Sequence, residues 1–183
     1  KNNLVDSFIA GPTLDYASNL MPIINVLGTK DSSRSSGVYI MVFKNRVLFL
    51  TDCTSQINPN SEDLAEIAAN AADLFRFMMK REPRVAFLSF SNFGSNSQVE
   101  AKTVKRAVSV TKSRYPSMIV DGEMQADVAV NKNILDKLFD FHELNGDTDI
   151  LVFPDLNSAN ISYKLLSQLS EANAIGPILV PMN

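Results

Sequence analysis

The stretch Met118-Ile119-Val120-Asp121-Gly122-Glu123-Met124-Gln125-Ala126-Asp127 decides the fold. A short apolar run reads as a strand ending at Asp121. A loop rich in acids and amides follows, and a helical pattern opens at about Gln125. The same pattern recurs about thirty residues further on. Asp149 to Phe153 reads as a strand, and Phe153-Pro154-Asp155-Leu156-Asn157-Ser158-Ala159-Asn160 leads into a helix from Ser158 to Leu169. Repeated strand–helix units build an α/β sheet with helices on both faces. Two such loops then lie side by side at the carboxyl ends of parallel strands, where these sheets bind ligands.

Upstream, Arg84 to Phe90 reads as a buried strand, followed by a polar loop with Ser89, Ser91, Asn92, Gly94 and Ser95. Gln98 to Arg114 reads as a helix with Val99, Val104, Ala107, Val108 and Val110 inward. Pro59-Asn60-Ser61-Glu62-Asp63 is a helix start, with an N-cap and early acids, for a helix running to about Lys80. Val38–Phe43 and Val47–Thr51 have hairpin spacing around Lys44-Asn45-Arg46, with Asn45 able to take a positive φ. The hairpin adds antiparallel strands, so the expected sheet is mixed. Residues 13–27 read as a helix capped by Thr13, with Tyr16, Leu20, Ile23, Ile24 and Leu27 on one face and a bend at Pro22. A helical pattern covers Gln125 to Phe139, in one or two pieces, and Ile178 to Val180 is the last strand.

Composition narrows the function classes. Of 183 residues, 45% are apolar and 20% charged, as in an ordinary globular core. The net charge is only −3 and the 17 basic residues are scattered, so no basic stripe offers itself to nucleic acid. No apolar run approaches the roughly 18 residues of a membrane helix. A lone cysteine, Cys53, cannot form an intrachain disulfide and fits a reducing, cytoplasmic compartment. The chain opens on Lys1-Asn2-Asn3 and stops directly after an apolar run, so it is expected to be a piece of a longer protein. Leu4, Val5, Phe8 and Ile9 would then be covered by other parts of that protein or by a second copy.

The candidate ligand-binding residues are Asp121, Glu123, Gln125, Asp127, Asp155, Asn157 and Asn160, with Ser91 and Asn92 behind them. Clustered carboxylates and amides can bind a hydroxyl, an amine or a cation, or take a proton. Each also has a structural reading: Asp121 capping a turn, Glu123 in a local ion pair, Asn157 or Ser158 capping a helix. That helix start also suits a phosphate. Ser89 to Ser95 either cradles an anion or is turn chemistry. The only histidine, His142, has no Gly-x-Ser-x-Gly elbow to serve and reads as structural. Cys53 reads as an inert thiol. Zinc spacing, a Walker loop and Gly-x-Gly-x-x-Gly do not occur, so no metal or dinucleotide site is expected within these residues.

Several stretches together resemble the phosphate acetyltransferase/butyryltransferase family. They are Glu82-Pro83-Arg84-Val85-Ala86-Phe87-Leu88-Ser89-Phe90-Ser91-Asn92-Phe93-Gly94-Ser95, Asp121 to Asp127, Phe153 to Lys164, and Ala174-Ile175-Gly176-Pro177-Ile178. They occur in the family's order over nearly the whole chain. The wording of Asp121 to Asp127 and of Phe141-His142-Glu143-Leu144-Asn145-Gly146 is most similar to the C-terminal phosphotransacetylase-like domain of large bacterial NADP-dependent malic enzymes. The resemblance implies a three-layer α/β fold like that of isocitrate and isopropylmalate dehydrogenases, with two domains around a cleft. Residues 30–172 would be the continuous domain, entered through the Ser-rich loop near residue 30. Residues 1–29 and 173–183 would belong to the other domain.

In active members of such a family, the coenzyme A thiol attacks acetyl phosphate, a carboxylate helps remove the thiol proton, and arginines neutralise the phosphate. The resemblance places one arginine where this chain has Met21, in Leu20-Met21-Pro22, and another where it has Gln168. A further Ser-Arg pair would lie beyond the last strand. Losing a charge-assisted donor to a developing anion costs roughly 2 to 4 kcal/mol. The resemblance therefore implies a piece with no catalytic residue of its own. It would bind acetyl-CoA or CoA, sense it for malic enzyme catalytic domains in the same chain that use NADP and a divalent metal, and help build a homo-oligomer. The alternatives are a working phosphate acetyl/butyryltransferase, and a purely structural assembly module packing through the Ala-rich helix at 61–80.

Overall fold

The computed structural model describes residues 9, 13, 16–28, 35–52 and 57–181. The first eight residues, Cys53 and the Ser-rich loop through Arg34 lie outside the described residues. Helix α1 covers Tyr16–Leu27 and contains Pro22. Strands β1 (Ser36–Val42) and β2 (Val47–Asp52) form the expected antiparallel hairpin, with Val42 opposite Val47. Four residues, 43–46, turn the chain, and the Phe43 N–H donates to the Arg46 carbonyl. Asn45 does not take a positive φ, as the sequence allowed; a four-residue connection reverses the chain without one.

Helix α2 (Ser61–Met79) starts at a capping box: Asn60 accepts from the Glu62 and Asp63 N–H groups, and Asp63 accepts from the Asn60 N–H. It stops at Lys80, which takes the left-handed conformation at φ 55°. Strand β3 (Arg84–Leu88) and helix α3 (Val99–Arg114) follow in the expected order, but the strand stops two residues before Phe90, and Phe90 and Val99, read as buried, are exposed. Strand β4 is Ile119–Met124, and it corrects the sequence reading: Asp121, Gly122 and Glu123 lie within the strand, not in a loop after it. The strand continues because its neighbour supplies partners. Gly122 stands opposite Phe87, and the Met124 carbonyl accepts from the Ser89 N–H. The helical pattern after Gln125 is two short helices, α4 (Ala126–Val130) and α5 (Lys132–Leu138). Strand β5 (Ile150–Val152), helix α6 (Leu156–Leu169) and strand β6 (Asn173–Val180) complete the chain.

The six strands form one sheet in the order β4-β3-β5-β2-β1-β6. Strands β4, β3, β5 and β2 are parallel, and β1 runs antiparallel to both of its neighbours. Alternate strand residues face opposite sides. Phe49, Val85, Phe87, Ile150 and Val152 pack with Leu64, Ala68, Ala72 and Phe75 of α2 and Val104 and Ala107 of α3. Leu50, Ala86, Leu88 and Leu151 pack with Val128 of α4, Leu135 of α5 and Ala159 of α6. These are the three layers expected from the sequence. The alanines of α2 let it lie close on the sheet, and Phe49 meets Phe75 edge-on at 4.9 Å. Full burial of each such side chain contributes about 2 kcal/mol. Among the described residues no helix is long and apolar enough to cross a membrane.

Candidate functional site

Strands β3 and β5 are neighbours, but their helices leave over opposite faces of the sheet: α3 over one, α6 over the other. A crevice opens at the carboxyl ends of strands at such a divergence. Here it is a cleft of about 540 Å³. Leu88, Ser89 and Phe90 from the end of β3 form one wall, and Phe153, Pro154 and Asp155 from the end of β5 form another. Asn58 and Pro59 before α2, Val99, Glu100, Thr103 and Val104 of α3, Ala126 of α4, and Ser158 and Ser162 of α6 close it.

Four helices begin at this cleft, α2, α3, α4 and α6, and two use their own caps. Asn60 caps α2, and Asp155 accepts from the Ser158 N–H at 2.9 Å to cap α6. The Gln98 side chain makes no cap on α3. Two carboxylates, Glu100 and Asp155, line the cleft, and among the described residues lining it there is no Lys or Arg. The chemistry on offer is an apolar surface with hydroxyls, two negative charges and the uncapped start of α3, with the short α4 beside it also uncapped.

Of the residues singled out from sequence, Asp155 lines this cleft. Glu123 is fully buried beside it. Its Oε1 accepts from the Ser91 hydroxyl at 2.8 Å and from the Gly94 N–H at 2.6 Å. Asn92 and Gln125 form a reciprocal pair: the Gln125 N–H donates to Asn92 Oδ1 at 2.8 Å, and Asn92 Nδ2 donates to Gln125 Oε1 at 3.0 Å. Gln125 Nε2 then donates to the Phe90 carbonyl. The structure thus brings Ser91, Asn92, Glu123 and Gln125 together as one brace behind the wall formed by Ser89 and Phe90. Asp121 lies apart. It accepts from the Glu143 N–H at 2.7 Å and lies 3.9 Å from Lys112 Nζ. Asp127 and Asn157 are exposed, Asn160 is half-buried, and none of the three lines the cleft.

His142 is remote from the cleft; its Nε2 lies 2.9 Å from Asp136 Oδ1. Asp136, bonded first to Lys132 and then to His142, is held below the ordinary carboxylate range. Among the described residues no group of three His, Cys, Asp or Glu gathers as a metal site. Met21 and Gln168 are exposed, and neither lines the cleft. The sequence reading missed the helix-borne lining. Val99 with Thr103, Glu100 with Val104, and Ser158 with Ser162 are spaced four apart, so each pair shares a helix face. That spacing, in the first turns after a strand, was the available signal.

The family model described as "Phosphate acetyl/butaryl transferase" matches residues 1–183. The chain is 37% identical over 181 residues to the phosphate acetyltransferase of Bacillus subtilis (strain 168), covering 98% of this chain and 56% of that protein. It is 37% identical over 180 residues to the NADP-dependent malic enzyme of Haemophilus influenzae, covering 97% of this chain and 24% of that protein. The phosphotransacetylase from Streptococcus pyogenes superposes with a TM-score of 0.86 at 33% identity, over 94% of this chain and 53% of that one. The chain therefore spans about half the length of these transferase relatives, and a quarter of the malic enzyme.

Proposed function

Since the chain belongs to the phosphate acetyl/butyryl transferase family, we propose that its cleft holds the neutral, sulfur-bearing arm of acetyl-CoA or CoA and does not by itself turn over acyl phosphate. The observation that carries this reading is the charge of the lining: Glu100 and Asp155, with no Lys or Arg among the described residues. A dianionic acyl donor needs cations where its charge develops, and each missing donor costs roughly 2 to 4 kcal/mol of transition-state stabilisation. Met21 and Gln168 cannot supply that charge. An uncharged amide- and sulfur-bearing chain meets apolar walls and hydroxyls instead.

In this reading the chain serves a larger protein as an acetyl-CoA-sensing and assembly domain. Its similarity to an NADP-dependent malic enzyme supports that setting, in which NADP and a divalent metal belong to other domains. Regulation then requires acetyl-CoA to bind two states of the assembly with different affinity. The equal identity to a phosphate acetyltransferase favours a second reading, in which the rest of the protein brings the missing cations across the cleft and transfer proceeds. Two measurements separate these readings. Calorimetric titration of the 183-residue chain with acetyl-CoA tests binding; no heat of binding at millimolar ligand defeats the proposal. Formation of acetyl phosphate from acetyl-CoA and phosphate, followed on the full-length protein, tests transfer. Turnover of many per second would establish the second reading.

A further inference from the structure

Glu123 is fully buried, yet only one of its oxygens is used. Oε1 collects the Ser91 hydroxyl and the Gly94 N–H, while Oε2 is buried without a hydrogen-bond partner. The main chain of the same residue accepts the Phe93 N–H at 2.7 Å. The next two residues continue the pattern, Met124 taking the Ser89 N–H and Gln125 donating to the Phe90 carbonyl. The end of β4 therefore binds the loop after β3 residue by residue. That loop carries Phe93 at φ 48°, a conformation bulky side chains rarely adopt and one that persists only when its surroundings over-determine it. The loop leads directly from the Ser89–Phe90 wall into the first turn of α3, so its shape fixes two sides of the cleft.

We propose that Glu123 is a positioning residue for the cleft: through Ser91 and Gly94 it sets the loop that presents Phe90 and the start of α3 to the ligand. This rests on the reading of the cleft as a CoA-binding surface. A buried carboxyl group with one oxygen unpartnered is a costly brace, and its one used oxygen is the reason to keep it. The inference concerns geometry at Oε1, so an amide should serve as well as an acid.

Glu123→Gln, Glu123→Ala and Ser91→Ala in the 183-residue chain test it, with CoA affinity by calorimetry, amide exchange over residues 89–98, and the urea midpoint. Glu123→Ala is expected to weaken CoA binding about tenfold and to speed exchange at Gly94, since it removes the acceptor of two hydrogen bonds. Glu123→Gln keeps an acceptor at Oε1 and is expected to hold affinity within about threefold. Ser91→Ala also removes the acceptor of the Asn96 N–H, but the double variant should lose less affinity than the two single losses combined, because both break the Ser91–Glu123 bond. A lower urea midpoint with affinity unchanged in the folded fraction would make Glu123 merely structural and overturn the proposal. Equal damage from Gln and Ala would overturn it too. If the unmodified chain binds no CoA, the cleft reading fails by itself. Glu123 is then judged on exchange alone, and unchanged protection of Gly94 in Glu123→Ala refutes the linkage.

Discussion

Asp155 carries a cap and a cleft charge at once, and two substitutions separate them. Asn caps a helix as well as Asp does, so Asp155→Asn keeps the bond from the Ser158 N–H and removes only the charge. Asp155→Ala removes both. A sphere of 540 Å³ has a radius of about 5 Å, so an anion held in the cleft stands roughly 7 Å from the carboxylate on average. At that distance one unit charge repels another by about 0.6 kcal/mol in water and about 2.4 kcal/mol at an effective dielectric constant of 20. Screening at physiological salt roughly halves this, and a dianion doubles it again. Asp155→Asn should therefore raise phosphate affinity about 3- to 60-fold with little change in stability. Asp155→Ala should gain the same affinity while losing about 1 kcal/mol, or 2 to 4 °C in midpoint, from the lost cap. Thermal melts across a phosphate series read both effects, because a ligand that binds only the folded chain raises the midpoint with its concentration. The electrostatic reasoning is refuted if phosphate stabilises the unmodified chain and Asp155→Asn equally. The capping reasoning is refuted if Asn melts as low as Ala.

Asp149 is buried and accepts from Arg81 Nη1 at 2.8 Å, Arg81 Nη2 at 2.6 Å and the Arg84 N–H at 2.9 Å. Asp149→Ala should cost about 3 kcal/mol in urea unfolding, and Arg81→Ala only about 1 kcal/mol, since water reaches the half-exposed guanidinium. Equal losses would contradict that ordering. A Cβ on Gly122, at φ 133°, would stand 2.7 Å from the Phe87 carbonyl oxygen, so Gly122→Ala should destabilise by more than about 2 kcal/mol; an unchanged melt would show that the strand can shift. Bonds from Lys132 and then His142 lower the folded-state pKa of Asp136 below its ordinary 3.8. The stability this contributes is present above the ordinary value and is lost as pH falls through the depressed one. Asp136→Asn should accordingly flatten the fall in stability below about pH 4, which pH-dependent urea midpoints would register.

The fold was legible because local signals agreed. The Pro59-Asn60-Ser61-Glu62-Asp63 start gave α2 to the residue, since capping is a local event. Short apolar runs with β-branched residues gave β3 and β5. The end of β4 was not legible: Asp121 and Glu123 look like loop residues, and only the presence of β3 and its following loop keeps the strand going. The cleft was legible in place but not in membership. Polar residues were sought in the loops, whereas the loop amides Asn92 and Gln125 bond to each other, and the lining comes largely from the first turns of α3 and α6. Which side chains spend their hydrogen bonds on one another is a tertiary property that no residue spacing reports.

The same distinction explains what a family resemblance of this kind measures. Its two most specific stretches, Asp121 to Asp127 and Phe141 to Gly146, are joined to each other: the Glu143 N–H donates to Asp121, Lys112 bridges Asp121 and Glu143, and Leu144 is fully buried with its carbonyl accepting from Arg84. Asp121 and Leu144 are buried and the group shares its hydrogen bonds, so a change at one residue is felt at the others. They hold the sheet and the cleft wall and leave reaction type open. On the proposed reading, acyl transfer depends on positive charge brought opposite Glu100 and Asp155. A reconstituted protein that places guanidinium groups there should transfer acyl groups; one that leaves the two carboxylates unopposed should bind the thioester and stop.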